Sequence, residues 1–83
     1  MKLPVIRNLA RDHELSELKD AAERFESSRE NPLEVTGDDE GEILTHLLLA
    51  IEVRSNMEEK GLSLQEAIRE KGQQIQKLLN ASQ

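Results

Sequence analysis

The chain has 83 residues, no cysteine and a formal net charge of -6, and 36% of its residues are hydrophobic. This length favours one domain, residues 1–83, with a small core, and the lack of cysteine excludes disulfides and cysteine-based metal sites. Between positions 12 and 42 twelve acidic residues outnumber three basic ones, so this stretch would repel a nucleic-acid backbone. No apolar run reaches the roughly 20 residues that span a membrane. We therefore expect a cytoplasmic protein that binds neither nucleic acid nor membrane.

The first half of the chain predicts two helices. Pro4 suits the first turn of a helix, and the apolar residues that follow it as far as Ala10 have loose helical spacing. A second helix is predicted at roughly Glu14 to Ser28, because apolar residues recur there with helical spacing and charged residues occupy the opposite face. The apolar residues of this second helix are Leu15, Leu18, Ala21, Ala22 and Phe25.

The stretch after the second helix predicts a break followed by an extended link. The dipeptide Asn31-Pro32 disfavours helix, because a residue before proline is pushed out of the α region. Leu33 to Thr36 then alternates apolar and polar residues, as an extended segment does. A single strand cannot form a sheet alone. The link therefore either pairs with a second copy of the chain or lies extended over the helices.

The longest predicted helix begins at Asp38 or Asp39 and ends at Lys60, with Gly61 as its C-terminal cap. Its apolar residues form a broad stripe, which is wider than one neighbouring layer of structure would cover. The surplus indicates either a central helix or a dimer seam. We predict a homodimer that forms through the Ile43 to Met57 helix, since large exposed apolar patches on small proteins mark contacts.

A last helix is predicted to start after Ser63. Ser63 and Glu66 match the capping box, in which the hydroxyl and the carboxylate each accept a free backbone N–H. Gly72 lies inside this helix at a cost of about 1 kcal/mol relative to alanine, and we expect it to permit close helix packing. The tail from Asn80 to Gln83 should fray. The predicted fold is thus all-α, a small dimeric bundle of three to four helices with a short extended link at Leu33 to Thr36.

Four residues at the start of the third helix form a candidate metal site. Asp38, Glu42 and His46 are spaced four apart and share one helical face, with Asp39 beside them. Their oxygens and one imidazole could hold a divalent ion such as Mg²⁺. The alternative, which we favour, is that the acids cap the helix and offset its dipole. An exposed His46 could exchange a proton or accept a phosphoryl group, but a lone histidine in an apolar run is more often packed against a neighbouring helix.

A second candidate set joins two pairs of acids. Glu14-x-x-Glu17 and, after a loop, Asp39-x-x-Glu42 resemble the paired acidic motifs of the all-α nucleoside triphosphate pyrophosphohydrolases of the MazG type. In that family four acids from two helices hold magnesium against a nucleotide phosphate chain, and the resemblance would give those roles to these four residues. The chain departs from the family pattern in two ways. The second pair has Asp and Glu in swapped order, and no cluster of lysine or arginine stands nearby to bind phosphates.

Most of the chain is similar to a group of small, acidic, uncharacterised bacterial proteins. The similarity lies in Pro4-Val5-Ile6, in the region from Glu34 to His46 and in Ala67-Ile68-Arg69. The resemblance supports a helix boundary at Gly37 to Glu42. It implies no activity, because the function of that group is unknown.

The sequence does not define a biochemical activity. It has no Gly-x-Ser-x-Gly setting and no glycine-rich phosphate loop, so we identify no catalytic residue and no cofactor site. The leading hypothesis is a non-catalytic cytosolic interaction or regulatory module whose acidic edge, Asp38 to Glu42, binds a basic protein. The alternative is a metal-dependent phosphohydrolase that acts on a nucleotide through Glu14, Glu17, Asp39 and Glu42. A third possibility is a structural subunit of a larger assembly.

Overall fold

Residues 1–81, which the computed structural model describes, form four helices and no strand. The helices are α1 (Leu3–Asp12), α2 (Leu15–Ser28), α3 (Glu40–Lys60) and α4 (Leu64–Ala81). The predicted all-α bundle is therefore confirmed. The molecule is flat, with extents of 33 × 33 × 18 Å. The predicted fraying tail falls partly on residues 82–83, which lie outside the described residues.

Local hydrogen bonds define the ends of the helices as the sequence predicts. At the start of α3 the Asp39 carboxylate accepts the backbone N–H of Glu42 at 2.8 Å. At the start of α4 the predicted capping box is complete, because Glu66 N–H donates to the Ser63 hydroxyl at 3.2 Å and Ser63 N–H donates to the Glu66 carboxylate at 3.0 Å. Gly61 ends α3 in the left-handed region with φ +66°, a conformation that glycine adopts without a steric penalty.

Helix α3 is the centre of the bundle and contacts each of the other three helices, whereas α2 and α4 do not contact each other within residues 1–81. The Arg29 side chain at the end of α2 pairs with Glu40 at the start of α3, with 2.7 Å between Nε and Oε2. Lys71 of α4 pairs with Glu52 in the middle of α3, also at 2.7 Å. These contacts form because α2 and α4 each run antiparallel to α3.

The surplus of apolar side chains on α3 follows from its central position. Leu47, Ala50 and Val53 are fully buried, and most other apolar residues of the helix are partly covered by its neighbours. Leu48 is the exception, since 45% of it is exposed. Of the two alternatives for this helix, the central position is confirmed, and the homodimer stays a prediction.

The link between α2 and α3 forms no strand in the described residues, and its predicted extended course is interrupted by a turn at Pro32 and Leu33 and by Glu34, whose φ is +52°. The Asn31 side chain pairs with both backbone groups of Val35, donating from Nδ2 to the carbonyl and accepting the N–H at Oδ1, each at 2.9 Å. This pairing places the Val35 side chain in the core, where it is 5% exposed. The alternative in which the link lies over the helices therefore describes this structure.

Two glycines differ in how much space surrounds them. A Cβ atom on Gly37 would lie 2.9 Å from Cγ1 and 3.0 Å from the backbone nitrogen of Ile43, closer than real Cβ atoms approach. A Cβ atom on Gly72 would lie 3.8 Å from Cδ2 of Leu3, which is an ordinary van der Waals contact. A glycine is therefore not required at position 72 for the close packing that we expected it to permit. Gly37 instead allows the link to approach the start of α3.

We expect G37A to lower the free energy of unfolding by about 1–3 kcal/mol, because the new methyl group would push the link away from α3. The matched control is G72A, which adds the same methyl group to an open helical position and should raise stability by roughly 0.5–1 kcal/mol. Urea unfolding followed by circular dichroism measures both values. Equal stability of G37A and the wild-type protein would contradict the close approach at Gly37.

Candidate functional site

His46 is fully buried and serves as a structural bridge. Its Nδ1 lies 2.8 Å from the carbonyl oxygen of Thr36, and its Nε2 lies 3.0 Å from the backbone nitrogen of Lys2. The carbonyl can only accept and the N–H can only donate, so these partners require a neutral ring with its hydrogen on Nδ1. The alternative of a packed histidine is confirmed. Neither ring nitrogen is open to a metal ion or a phosphoryl group.

Glu42 holds the N-terminus of the chain against the start of α3. Its Oε2 accepts a hydrogen bond from the Met1 amine at 2.9 Å, and its Oε1 accepts the backbone N–H of Asp38 at 3.1 Å. These bonds favour the ionised carboxylate and hold the pKa of Glu42 below its ordinary value, the amine having the larger effect. Glu42 thus completes the helix start that Asp39 begins.

The four residues of the predicted metal site have separate structural partners. Asp39 and Glu42 accept backbone N–H groups, His46 is occupied on both ring nitrogens, and Asp38 is exposed. Within residues 1–81, no three side chains of His, Cys, Asp or Glu converge in an arrangement that could hold a metal ion. This geometry agrees with the capping alternative. A metal site on Asp38, Asp39, Glu42 and His46 stays a prediction.

The two acid pairs that resemble a pyrophosphohydrolase motif do not meet. Helices α2 and α3 are antiparallel, so Glu14 at the start of α2 lies beside Arg54 and Glu58 near the end of α3. Glu42 lies twelve residues before Arg54 on the same helix, a distance of about 18 Å at 1.5 Å per residue. Glu17 accepts the backbone N–H of Glu14 at 3.1 Å. The structure therefore places the two pairs at opposite ends of the bundle.

A cleft of about 500 Å³ lies between the start of α2 and the end of α3. We call it the Arg54 cleft, and its lining residues are Glu14, Leu15, Ser16, Lys19, Arg54 and Glu58. Only Glu14 among these was a candidate from the sequence. The sequence feature that could have pointed to the cleft is Arg54, a charged residue that directly follows Val53 at the end of the apolar run of α3. A basic residue at such a position needs an acceptor nearby, which the sequence cannot identify.

The Arg54 guanidinium donates a hydrogen bond from one of its nitrogens, and its other nitrogens have no hydrogen-bond acceptor among the described residues. Its Nη1 donates to the carbonyl oxygen of Ala10 at 3.0 Å, which joins the end of α1 to α3. Its Nε is buried and has no hydrogen-bond acceptor among the described residues. The Oε2 atom of Glu58 lies 4.0 Å from that Nε, beyond hydrogen-bond distance. An unsatisfied buried donor costs about 1–3 kcal/mol, so this side chain is the most unusual polar group of the cleft.

Comparison with known proteins identifies a family but no activity. Residues 1–80 match the model of DUF6952, a family of unknown function. The chain belongs to this family. Searches of curated proteins and of solved structures each found no significant match. Membership of DUF6952 confirms the predicted similarity to an uncharacterised group, and it does not show the similarity to MazG-type enzymes.

Within residues 1–81, none of the helices combines the length and the apolar composition that spanning a membrane requires.

The lowered pKa of Glu42 makes the stability of this DUF6952 protein depend on pH. The ionised carboxylate stabilises the fold above the ordinary glutamate pKa of about 4.3, and this contribution is lost as pH falls through the lower pKa of the folded state. We expect E42Q to unfold at lower urea concentration than the wild-type protein at pH 7. The difference between the two proteins should shrink as the pH falls below that ordinary value.

The control for this prediction is E59Q, which removes a carboxylate that makes no ion pair or hydrogen bond with other described residues. It should leave the urea midpoint at pH 7 nearly unchanged. A constant difference between E42Q and the wild-type protein at every pH would show that the charge of Glu42 does not contribute.

Proposed function

We propose that this protein is a non-catalytic cytosolic module that binds a basic segment of another protein through its acidic face, which we define as residues 12–42. The stretch carries twelve acidic and three basic residues. It comprises α2, the link and the start of α3. Because α2 contacts only α1 and α3 among the helices of residues 1–81, its outer side is open to a partner in that part of the chain.

The observation that carries the proposal is the set of carboxylates without a cation. Arg24 pairs with Asp20 and Glu30, and Arg29 pairs with Glu40, so these two cations are already used within the acidic face. Within residues 1–81, four further acids of the face form no ion pair and accept no hydrogen bond through their carboxylates. These acids are Glu23, Glu26, Glu34 and Asp38.

Unpaired charges of one sign repel each other and attract a chain of the opposite sign over about 8–10 Å at physiological salt. Glu34 adds a conformational observation, because it is exposed and has a φ of +52°. This region is unfavourable for a residue with a side chain, and such strain is concentrated at functional positions. The unpaired carboxylates support a partner with several lysine or arginine residues, and the strained backbone places Glu34 among the candidate contact residues.

The geometry supports this function better than the phosphohydrolase alternative. That reaction needs Glu14 and Glu17 beside Asp39 and Glu42, and the antiparallel packing of α2 on α3 holds the pairs apart. Asp39, Glu17 and Glu42 are also engaged with backbone N–H groups of helix starts. The free carboxylates of the acidic face have no such structural partner.

The test uses a short lysine-rich peptide with a fluorescent label, because the protein has neither tryptophan nor tyrosine. We expect saturable binding that weakens as salt is added. The double variant E23Q/E26Q should bind roughly twofold to thirtyfold more weakly, since each exposed charge contributes about 0.2–1 kcal/mol. Fluorescence anisotropy measures the dissociation constants.

The matched control is E58Q/E59Q, which removes the same charge from the end of α3. Equal weakening by both double variants would show that only the net charge matters and would contradict a specific acidic face. Absence of peptide binding by the wild-type protein would overturn the proposed function.

The predicted homodimer through α3 depends in this structure on Leu48, the one exposed large apolar residue of that helix. If the dimer forms there, L48E should halve the molar mass measured by light scattering. L78E is the control, because Leu78 lies on α4 and is 71% exposed. The mass of a single chain for the wild-type protein at tens of micromolar would refute the dimer.

A further inference from the structure

The guanidinium of Arg54 keeps one terminal nitrogen, Nη2, free for a ligand. Nη1 is held by the carbonyl oxygen of Ala10, which fixes the orientation of the side chain. Within the described part of the chain, neither Nε nor Nη2 has a hydrogen-bond acceptor, but Nε is buried and out of reach of a ligand. The Nη2 group can donate a charge-assisted hydrogen bond to a carboxylate oxygen. The group lines the cleft, and 27% of the side chain is exposed.

Two further donors line the same cleft from α2. The Lys19 ammonium group forms no ion pair with residues 1–81, although acids are abundant in this stretch of sequence. The Ser16 hydroxyl is likewise without a hydrogen-bond partner in that part of the structure. Lys19 and Arg54 come from different helices, and they line the same cleft because α2 packs antiparallel to α3. Together they form the cationic part of the Arg54 cleft.

Two carboxylates make the cleft neutral as a whole. Glu58 lies one helical turn after Arg54, and its Oε2 remains 4.0 Å from Nε. Glu14 lies at the start of α2 and lines the cleft with it. A ligand with negative charge alone would be repelled by these acids, and a ligand with positive charge alone would be repelled by Lys19 and Arg54. A molecule with one charge of each sign would satisfy both sets.

We propose that the Arg54 cleft binds a small zwitterion of the amino-acid class. The ligand carboxylate binds Arg54 and Lys19, and the ligand ammonium group binds Glu58 and Glu14. The volume of about 500 Å³ lies within the roughly 300–1,000 Å³ typical of small-molecule sites. Leu15 is the apolar lining residue and offers a surface for the ligand side chain. This site is separate from the open carboxylates of the acidic face.

The test compares three molecules that share an alkyl chain and differ in charge. L-norleucine carries both charged groups, hexanoate carries only the carboxylate and pentylamine carries only the ammonium group. We expect norleucine to bind at least about tenfold more tightly than either analogue, because each analogue loses a charge-assisted hydrogen-bond partner. Titrations of the ¹⁵N-labelled full chain by NMR give the dissociation constants and locate the shifted amides.

Variants of the two exposed charges assign the two ends of the ligand. K19Q should weaken norleucine and hexanoate binding and strengthen pentylamine binding, because it removes a charge that repels the amine. E58Q should weaken norleucine and pentylamine binding and strengthen hexanoate binding, because it removes a charge that repels the carboxylate. Arg54 is left intact in the test because it also holds the end of α1. K77Q is the control for the loss of one positive charge, because Lys77 lies at an exposed position of α4. It should alter none of the three dissociation constants.

Three binding results, and a fourth from the positions of the shifted amides, would overturn the proposal. The first is the absence of a saturable response to norleucine, and the second is equal affinity for norleucine and both analogues. The third is an equal effect of K19Q and K77Q, which would show that only the net charge matters. Shifted amides confined to the start of α2 and the end of α3 would support the cleft. Shifts elsewhere, with α2 unaffected, would place the ligand at a different site and refute the assignment.

Discussion

The rest of the structure depends on the buried hydrogen bonds of His46. The ring connects three parts of the chain that are distant in sequence, namely Lys2 before α1, Thr36 in the link and α3 itself. Both polar partners are backbone groups, and a buried backbone group without a partner is costly. One side chain therefore fixes where α1 begins and where the link passes over the central helix. Loss of the ring would leave a donor and an acceptor unsatisfied at the same place.

Around this bridge, many charged residues serve to begin and end helices. Glu17, Glu42 and Glu66 each accept a backbone N–H near the start of a helix, and each has a pKa held below the ordinary value. These carboxylates stabilise helix starts that would otherwise expose free N–H groups. Part of the acidic composition is thus explained by the architecture. The carboxylates that remain, such as Glu23 and Glu26, require a different explanation.

Local chemistry made several elements predictable from the sequence. The capping box of Ser63 and Glu66 and the glycine cap at Gly61 involve residues within a few positions of each other, so the sequence contains the whole interaction. The apolar surplus of α3 was ambiguous, because burial by neighbouring helices and burial by a second copy require the same side chains. The Arg54 cleft could not be predicted, since its residues come from two helices whose direction and register are set by tertiary packing. For the same reason, the spacing of the acid pairs could not show that they lie at opposite ends.

The pairing between Asn31 and Val35 has a consequence for the behaviour of the protein in concentrated solution. An extended segment with free backbone groups is a template on which another chain can add a β-strand, and such edges promote aggregation. Here the amide of Asn31 occupies the N–H and the carbonyl of Val35, so the central residue of the link has no free edge to offer. The backbone groups of Val35 are therefore not available to a strand of another chain.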